Sequence, residues 1–181
     1  MRVLSLNVGM PREVLWGGRQ VRTGIFKQPV AGRVAVRTLG IDGDGQANLR
    51  VHGGVSKAVY IYPYEHYAYW QDRLDLDEIE FGAFGENLTT EGLEERTIRV
   101  GDRLKIGSTE LIVTEPRLPC RNLAMRFGQS DLVGRFLESG RTGFYLSVLT
   151  EGEIGSGDSI RRRPAHDGAL TIASIVESHR P

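Results

Sequence analysis

Hydrophobic and polar positions alternate in short runs along this 181-residue chain, and 23 glycines break the runs apart. Residues 2–8 read Arg-Val-Leu-Ser-Leu-Asn-Val, and 103–106, 110–114 and 143–149 carry similar alternating or β-branched patterns. With 32–39, 58–62, 97–100 and 159–163 they predict closely spaced strands joined by Gly-rich turns, the pattern of a sandwich or barrel. Gly107-Ser108-Thr109 fits a hairpin turn between Leu104-Lys105-Ile106 and Leu111-Ile112-Val113. Gly101-Asp102 and Gly157-Asp158 each precede a short strand, as two turns of similar build. Two stretches follow a helical period instead. Residues 64–73 come after Pro63, a good first-turn residue. Residues 130–138 have Ser130 as a cap, Leu132, Val133, Phe136 and Leu137 on one face, and Gly140 to end them. Thr171 can cap a further helix over 171–177. The pattern predicts a closed, mainly β single domain with a few helices and no internal linker.

Composition narrows the function classes. Lys plus Arg equals Asp plus Glu, at 23 each, so the chain lacks the basic excess of a general nucleic-acid or anionic-membrane binder. No apolar run reaches the length of a membrane span, and Met1-Arg2-Val3-Leu4-Ser5-Leu6 lacks a signal-peptide layout. A soluble cytoplasmic protein is expected. Arg161-Arg162-Arg163 reads as the solvated end of a strand, and His66 as part of an aromatic helix packed on the β domain.

The candidate chemistry centres on Cys120, the one cysteine of the chain, within Pro116-Arg117-Leu118-Pro119-Cys120-Arg121-Asn122. It cannot form an intramolecular disulfide, which leaves reactivity, metal ligation or packing as a buried structural thiol. Arg117 and Arg121 bracket the sulfur and the segment leads into a short helix, a setting that stabilises a thiolate. A second segment holds His52-Gly53-Gly54 followed by Ser56 and Lys57. Paired glycines let a backbone approach a ligand and form an anion-binding nest, to which Lys57 would add a positive charge. The plain alternative is a Gly-rich turn. The Asp42-Gly43-Asp44-Gly45 run lacks the closing glutamate of a calcium loop. In Phe84-Gly85-Glu86-Asn87 the polar side chains can face a ligand or satisfy their own backbone, and taken alone the second reads better. No zinc pattern and no distinctive Ser-His-Asp order appear.

In order and spacing, these segments resemble a MOSC domain, the C-terminal domain of molybdenum cofactor sulfurases, and more closely its bacterial stand-alone YiiM-like branch. The resemblance rests on Gly43-Asp44-Gly45-Gln46, Val51-His52-Gly53-Gly54, Lys57-Ala58-Val59-Tyr60, Phe84-Gly85-Glu86-Asn87-Leu88, Gly101-Asp102 and Pro116-Arg117-Leu118-Pro119-Cys120. It implies a MOSC-type β-barrel over residues 1–163. Residues 164–181 would be a tail resembling only the start of the helical domain that often follows in that branch.

By resemblance, Cys120 would ligate the molybdenum of a pterin cofactor or carry sulfur as a persulfide. His52, Gly53, Gly54, Lys57 and Asn87 would line the same cleft, with His52 the best candidate for proton transfer. Arg117 and Arg121 would keep the thiolate ionised and draw in an anionic phosphate or a molybdate oxygen. Three functions are then expected. The first is a molybdenum-cofactor oxidoreductase that reduces N-hydroxylated compounds with electrons from a separate electron-transfer protein. The second is a carrier of sulfur on Cys120, loaded by a separate cysteine desulfurase that would supply the pyridoxal phosphate. The third is a cofactor-free interaction barrel with a structural cysteine.

Overall fold

Strand alternation sets the architecture. The computed structural model describes residues 1–47 and 53–180. Its first strands are β1 (Arg2–Val8), β2 (Arg12–Trp16), β3 (Arg19–Thr23), β4 (Gln28–Pro29), β5 (Arg33–Arg37) and β6 (Gly40–Ile41). They are followed by β7 (Val59–Pro63), β8 (Leu88–Glu91), β9 (Arg103–Ile106) and β10 (Thr109–Pro116). The last are β11 (Phe144–Thr150), β12 (Gly152–Gly155) and β13 (Ile160–Arg163). The helices are α1 (Tyr67–Leu74), α2 (Arg121–Phe127), α3 (Leu132–Ser139) and α4 (Ile172–Ser178), with 3-10 turns at Val55–Lys57 and Tyr64–His66.

β7 is buried at every position and separates two cores. Successive side chains of a strand point to opposite faces. Val59 and Ile61 accordingly enter an aliphatic core with Leu6, Leu88, Leu104, Leu111 and Leu146. Tyr60 and Tyr62 enter an aromatic core with Trp70, Phe84 and Phe136. β11 repeats the arrangement, with Phe144 and Leu146 on the aliphatic side and Tyr145 on the aromatic side. The sheet carrying them has eight strands in the order β13-β9-β10-β11-β7-β8-β1-β4. Only the β7–β8 pair is parallel, and its crossover carries α1 and the 81–87 loop.

The expected hairpin is present: Ile106 pairs with Thr109 around Gly107 and Ser108. Barrel closure is not seen among the described residues. Among the described residues the ladder ends at β13 and β4. The start of β1 does return to β13, with the Val3 N–H donating to the Asp158 carbonyl at 2.9 Å and the Ile160 N–H to Met1 at 3.0 Å. The return amounts to one bridge, Arg2 to Ser159, because β1 meets the Gly157-Asp158 turn rather than the length of β13.

Three other expectations shift. Residues 97–100 form a turn with an isolated Arg99–Thr171 bridge, not a strand. The first helix is a 3-10 turn before α1 begins at Tyr67. α3 begins at Leu132 without a side-chain cap from Ser130, and Gly140 ends it in the left-handed region as expected. The Thr171 cap is realised, its hydroxyl accepting from the Ser174 N–H at 3.1 Å, and Ile172 and Val176 of α4 join the aliphatic core.

Candidate active site

A cleft opens on the aromatic side of the sheet. Its floor is strand-built. Tyr60 and Tyr145 are directly opposed on β7 and β11, their ring centroids 5.3 Å apart. β10 ends at Pro116, and the next residue, Arg117, enters the cleft with its N–H donating to the Gly143 carbonyl at 3.2 Å. Cys120 follows as the N-cap residue of α2, half-buried and lining the cleft. The Tyr60 hydroxyl donates to the Thr142 carbonyl at 2.8 Å, which ties the floor to the segment that holds Arg117. Burial raises the phenol pKa of Tyr60 and of Tyr145, in both cases against the opposing pull of Arg117. Both rings therefore stay neutral at physiological pH.

Three loops form the opposite wall. Lys27, Asp44 and Asn87 all line the cleft, and the Asp44 carboxylate joins them. It accepts a short hydrogen bond from the Lys27 ammonium, one from the Gly9 N–H at 2.9 Å, and one from the Asn87 amide at 2.9 Å. Asn87 Oδ1 accepts the Tyr60 N–H at 3.0 Å, so this side chain fastens the wall to the floor. Burial lowers the Lys27 pKa, an effect the Asp44 charge opposes. One of the three ammonium protons goes to Asp44, and the side chain borders the cleft.

The 81–87 loop is held from within. Glu86 is fully buried and accepts from the Gly82 N–H at 2.9 Å, the Phe84 N–H at 3.0 Å, the Thr89 hydroxyl at 2.9 Å and, by a short bond, the Tyr67 hydroxyl. Burial raises its pKa, against those stabilising bonds. Glu86 is therefore the self-satisfying polar residue of a Gly-rich corner. Gly85 lies at φ 84°, where a Cβ would approach Ile25 to 2.9 Å, so the close passage of the two cleft loops requires glycine.

Of the residues singled out in the sequence, the cleft brings together Cys120, Arg117, Lys57 and Asn87. Lys57 sits at the end of a 3-10 turn whose N-cap is Gly54, with its Nζ 3.6 Å from Glu115. Gly53, Gly54 and Arg121 lie outside the lining, and Asn122 rather than Arg121 faces inward from α2. His52 lies outside the described residues. The sequence reading missed Lys27 and missed the role of Asp44. The only signals were a lysine within Ile25-Phe26-Lys27 and an Asp-Gly run weighed as a calcium loop.

Cations prevail in the cleft. Lys27, Lys57 and Arg117 line it, and the one carboxylate among its described lining residues, Asp44, is spent on Lys27 and two further donors. Arg117 is 5 % exposed, and its Nη1 has no hydrogen-bond partner among the described residues. A buried guanidinium nitrogen left so is costly unless a ligand supplies an acceptor. No group of three His, Cys, Asp or Glu side chains that could hold a metal ion gathers among the described residues; of these types, Asp44 and Cys120 line the cleft.

The MOSC domain model matches residues 48–161. The chain belongs to the MOSC domain family. Over 163 residues this MOSC protein is 37 % identical to Protein YiiM of Escherichia coli, covering 88 % of this chain and 72 % of that one. It is 41 % identical over 158 residues to the uncharacterised protein YflK of Bacillus subtilis, covering 87 % and 71 %. A protein of Gibberella moniliformis named "Reductase" is 34 % identical over 161 residues, which span 28 % of its length. The crystal structure of YiiM from Geobacillus stearothermophilus superposes with a TM-score of 0.80 at 36 % identity, covering 97 % of this chain and 82 % of that one. The expected YiiM-like MOSC membership is borne out. No helix among the described residues is long and apolar enough to cross a membrane.

Proposed function

We propose that the cleft binds a molybdenum–pterin cofactor with the Cys120 thiolate as its protein ligand, and that it reduces N-hydroxylated compounds with electrons from a separate protein. The observation that carries this reading is the buried, unsatisfied Arg117 nitrogen in the cleft that Cys120 lines, on a wall that also presents Lys57. The donor set fits such a cofactor. It supplies one soft thiolate for the metal and cations for phosphate or oxo groups, while a pterin dithiolene brings its own sulfur ligands. When bound, the cofactor would supply the electron pair that cleaves an N–O bond, giving an amine and water with two protons taken up. Arg117 and Lys57 would hold anionic oxygens, Tyr60, Tyr145 and Phe84 would exclude water from the floor, and Asp44 would keep Lys27 facing the cleft. The name of the Gibberella relative points in the same direction.

Metal analysis and pterin fluorescence test the reading, on protein purified from a host that makes molybdenum cofactor. Stoichiometric molybdenum and pterin in wild type, lost in Cys120→Ala, is the expected result. Neither species in either protein, with cofactor supply verified, would sink it. A sulfur adduct on Cys120 after incubation with a cysteine desulfurase would then identify a sulfur carrier.

A further inference from the structure

The mouth of the cleft carries a charge that the chain as a whole does not. Positive and negative side chains balance at 23 each. Yet the β2–β3 hairpin holds Arg12, Arg19 and Arg22 against Glu13 alone, and residues 117–127 hold Arg117, Arg121 and Arg126 with no acid. Among the described residues no carboxylate lies within ion-pair distance of Arg12, Arg19, Arg121 or Arg126.

Phe26 ties the two basic elements together. The Arg12 guanidinium lies 4.0 Å from its ring centroid and that of Arg126 5.1 Å, and Nε of Arg126 is buried with no hydrogen-bond partner among the described residues. Two cations against one ring repel each other, and an external anion would relieve both. This pair adjoins the cleft. Phe26 stands between Ile25 and Lys27, which line it, and Asn122, also lining it, is one helical turn before Arg126 on the same face of α2. Farther along the hairpin, Trp16, on the same face of β2 as Arg12, is 36 % exposed. Arg126 is six residues beyond Cys120, about 9 Å along the helix axis at a rise of ~1.5 Å per residue.

We propose that the Arg12–Phe26–Arg126 rim, with Trp16 of the hairpin, is the docking surface for an acidic electron-transfer protein. This rests on the redox reading of the cleft. An exposed tryptophan among arginines has the composition of an interface hot spot. A single-sign rim steers a partner of opposite charge, and a donor seated there would lie one short helix from Cys120. A nucleic acid fits less well, because the patch offers one exposed tryptophan rather than a row of stacking rings.

The test uses the full chain and an acidic plant-type [2Fe–2S] ferredoxin as the probe, with affinity measured at low and moderate salt. Wild type should bind, more weakly as salt rises. Arg12→Glu with Arg126→Glu should weaken binding by about tenfold or more, and Trp16→Ala by a few-fold. Molybdenum content, pterin content and turnover driven by reduced methyl viologen should match wild type in all variants. No wild-type binding, equal affinity in wild type and variants, or tighter binding of a single-stranded oligonucleotide than of ferredoxin would overturn the proposal. A wild-type protein without molybdenum that still binds ferredoxin through these residues would defeat the redox reading and leave the surface intact.

Discussion

Lys27 and Arg117 are buried cations on one cleft, 6 % and 5 % exposed, and they are held in opposite ways. Lys27 is matched by Asp44, itself fixed by two more donors. Arg117 has no carboxylate within ion-pair distance among the described residues, and one of its nitrogens has no acceptor at all. The first arrangement is complete without a ligand and fastens three loops. The second leaves one nitrogen without an acceptor; burial works against its charge, while Tyr60, Tyr145 and Cys120 nearby push its pKa up. Burial alone would have graded the two residues alike; their partners separate a latch from a cation with one nitrogen still open to an acceptor.

The sharpest way to break the comparison is to remove Asp44. Asp44→Ala leaves the Lys27 charge buried and uncompensated, and should cost about 3–5 kcal/mol of stability in urea unfolding. Changing both partners, Lys27→Met with Asp44→Asn, should recover more than half of that loss. A single-variant loss under about 1 kcal/mol would mean that the pair is solvated and is no latch.

Arg117→Met should behave the other way. It removes a buried cation that no carboxylate pairs among the described residues and one nitrogen of which lacks an acceptor, so the loss of stability should be smaller than for Asp44→Ala. What it loses is stabilisation by anions. Inorganic phosphate at a hundredfold excess over its Kd adds about 2.7 kcal/mol to a protein that binds it only when folded. Thermal unfolding should show a phosphate-dependent gain in wild type and none in the variant. A gain that survives in Arg117→Met would place the anion elsewhere.

The pH dependence sharpens the Lys27 side. Burial lowers its pKa below 10.5, so between the folded value and 10.5 the unfolded chain binds the extra proton. Stability then rises with pH in that window, by at most about 1.4 kcal/mol per pH unit. Urea midpoints at increasing alkalinity should climb more in wild type than in Lys27→Met, and parallel profiles would remove Lys27 as the cause. The smallest effect is expected at Lys57. Its partly exposed pair with Glu115 should make Lys57→Met cost less than about 1 kcal/mol, while phosphate affinity falls.

What was legible in the sequence follows the range of the interactions. The hairpin at Gly107-Ser108, the Thr171 cap and the glycine stop at Gly140 depend on neighbours a few residues away, and all three are present. The β2–β3 hairpin was missed although Gly17-Gly18 marks its turn, because arginines and a glutamate alternate where apolar runs were sought. Cys120 and Arg117 stood out through their local proline and arginine setting. The Lys27–Asp44–Asn87 wall joins residues 17 and 43 positions apart, and no local pattern announces such a contact. Residues 97–100 have a strand's composition, yet the chain turns there so that the Arg99 N–H meets the Asp102 carboxylate at 2.9 Å.

Asp44 also makes the cleft wall a cooperative unit in time. One carboxylate anchors the Gly9 amide, the Lys27 ammonium and the Asn87 amide, so none of these segments can loosen while the other two keep their full complement of bonds. Opening wide enough to admit a bulky group would be a single sub-global fluctuation rather than independent loop motions. The Gly9 amide proton is its natural clock: its exchange with deuterated solvent should report how often the cleft wall lets go.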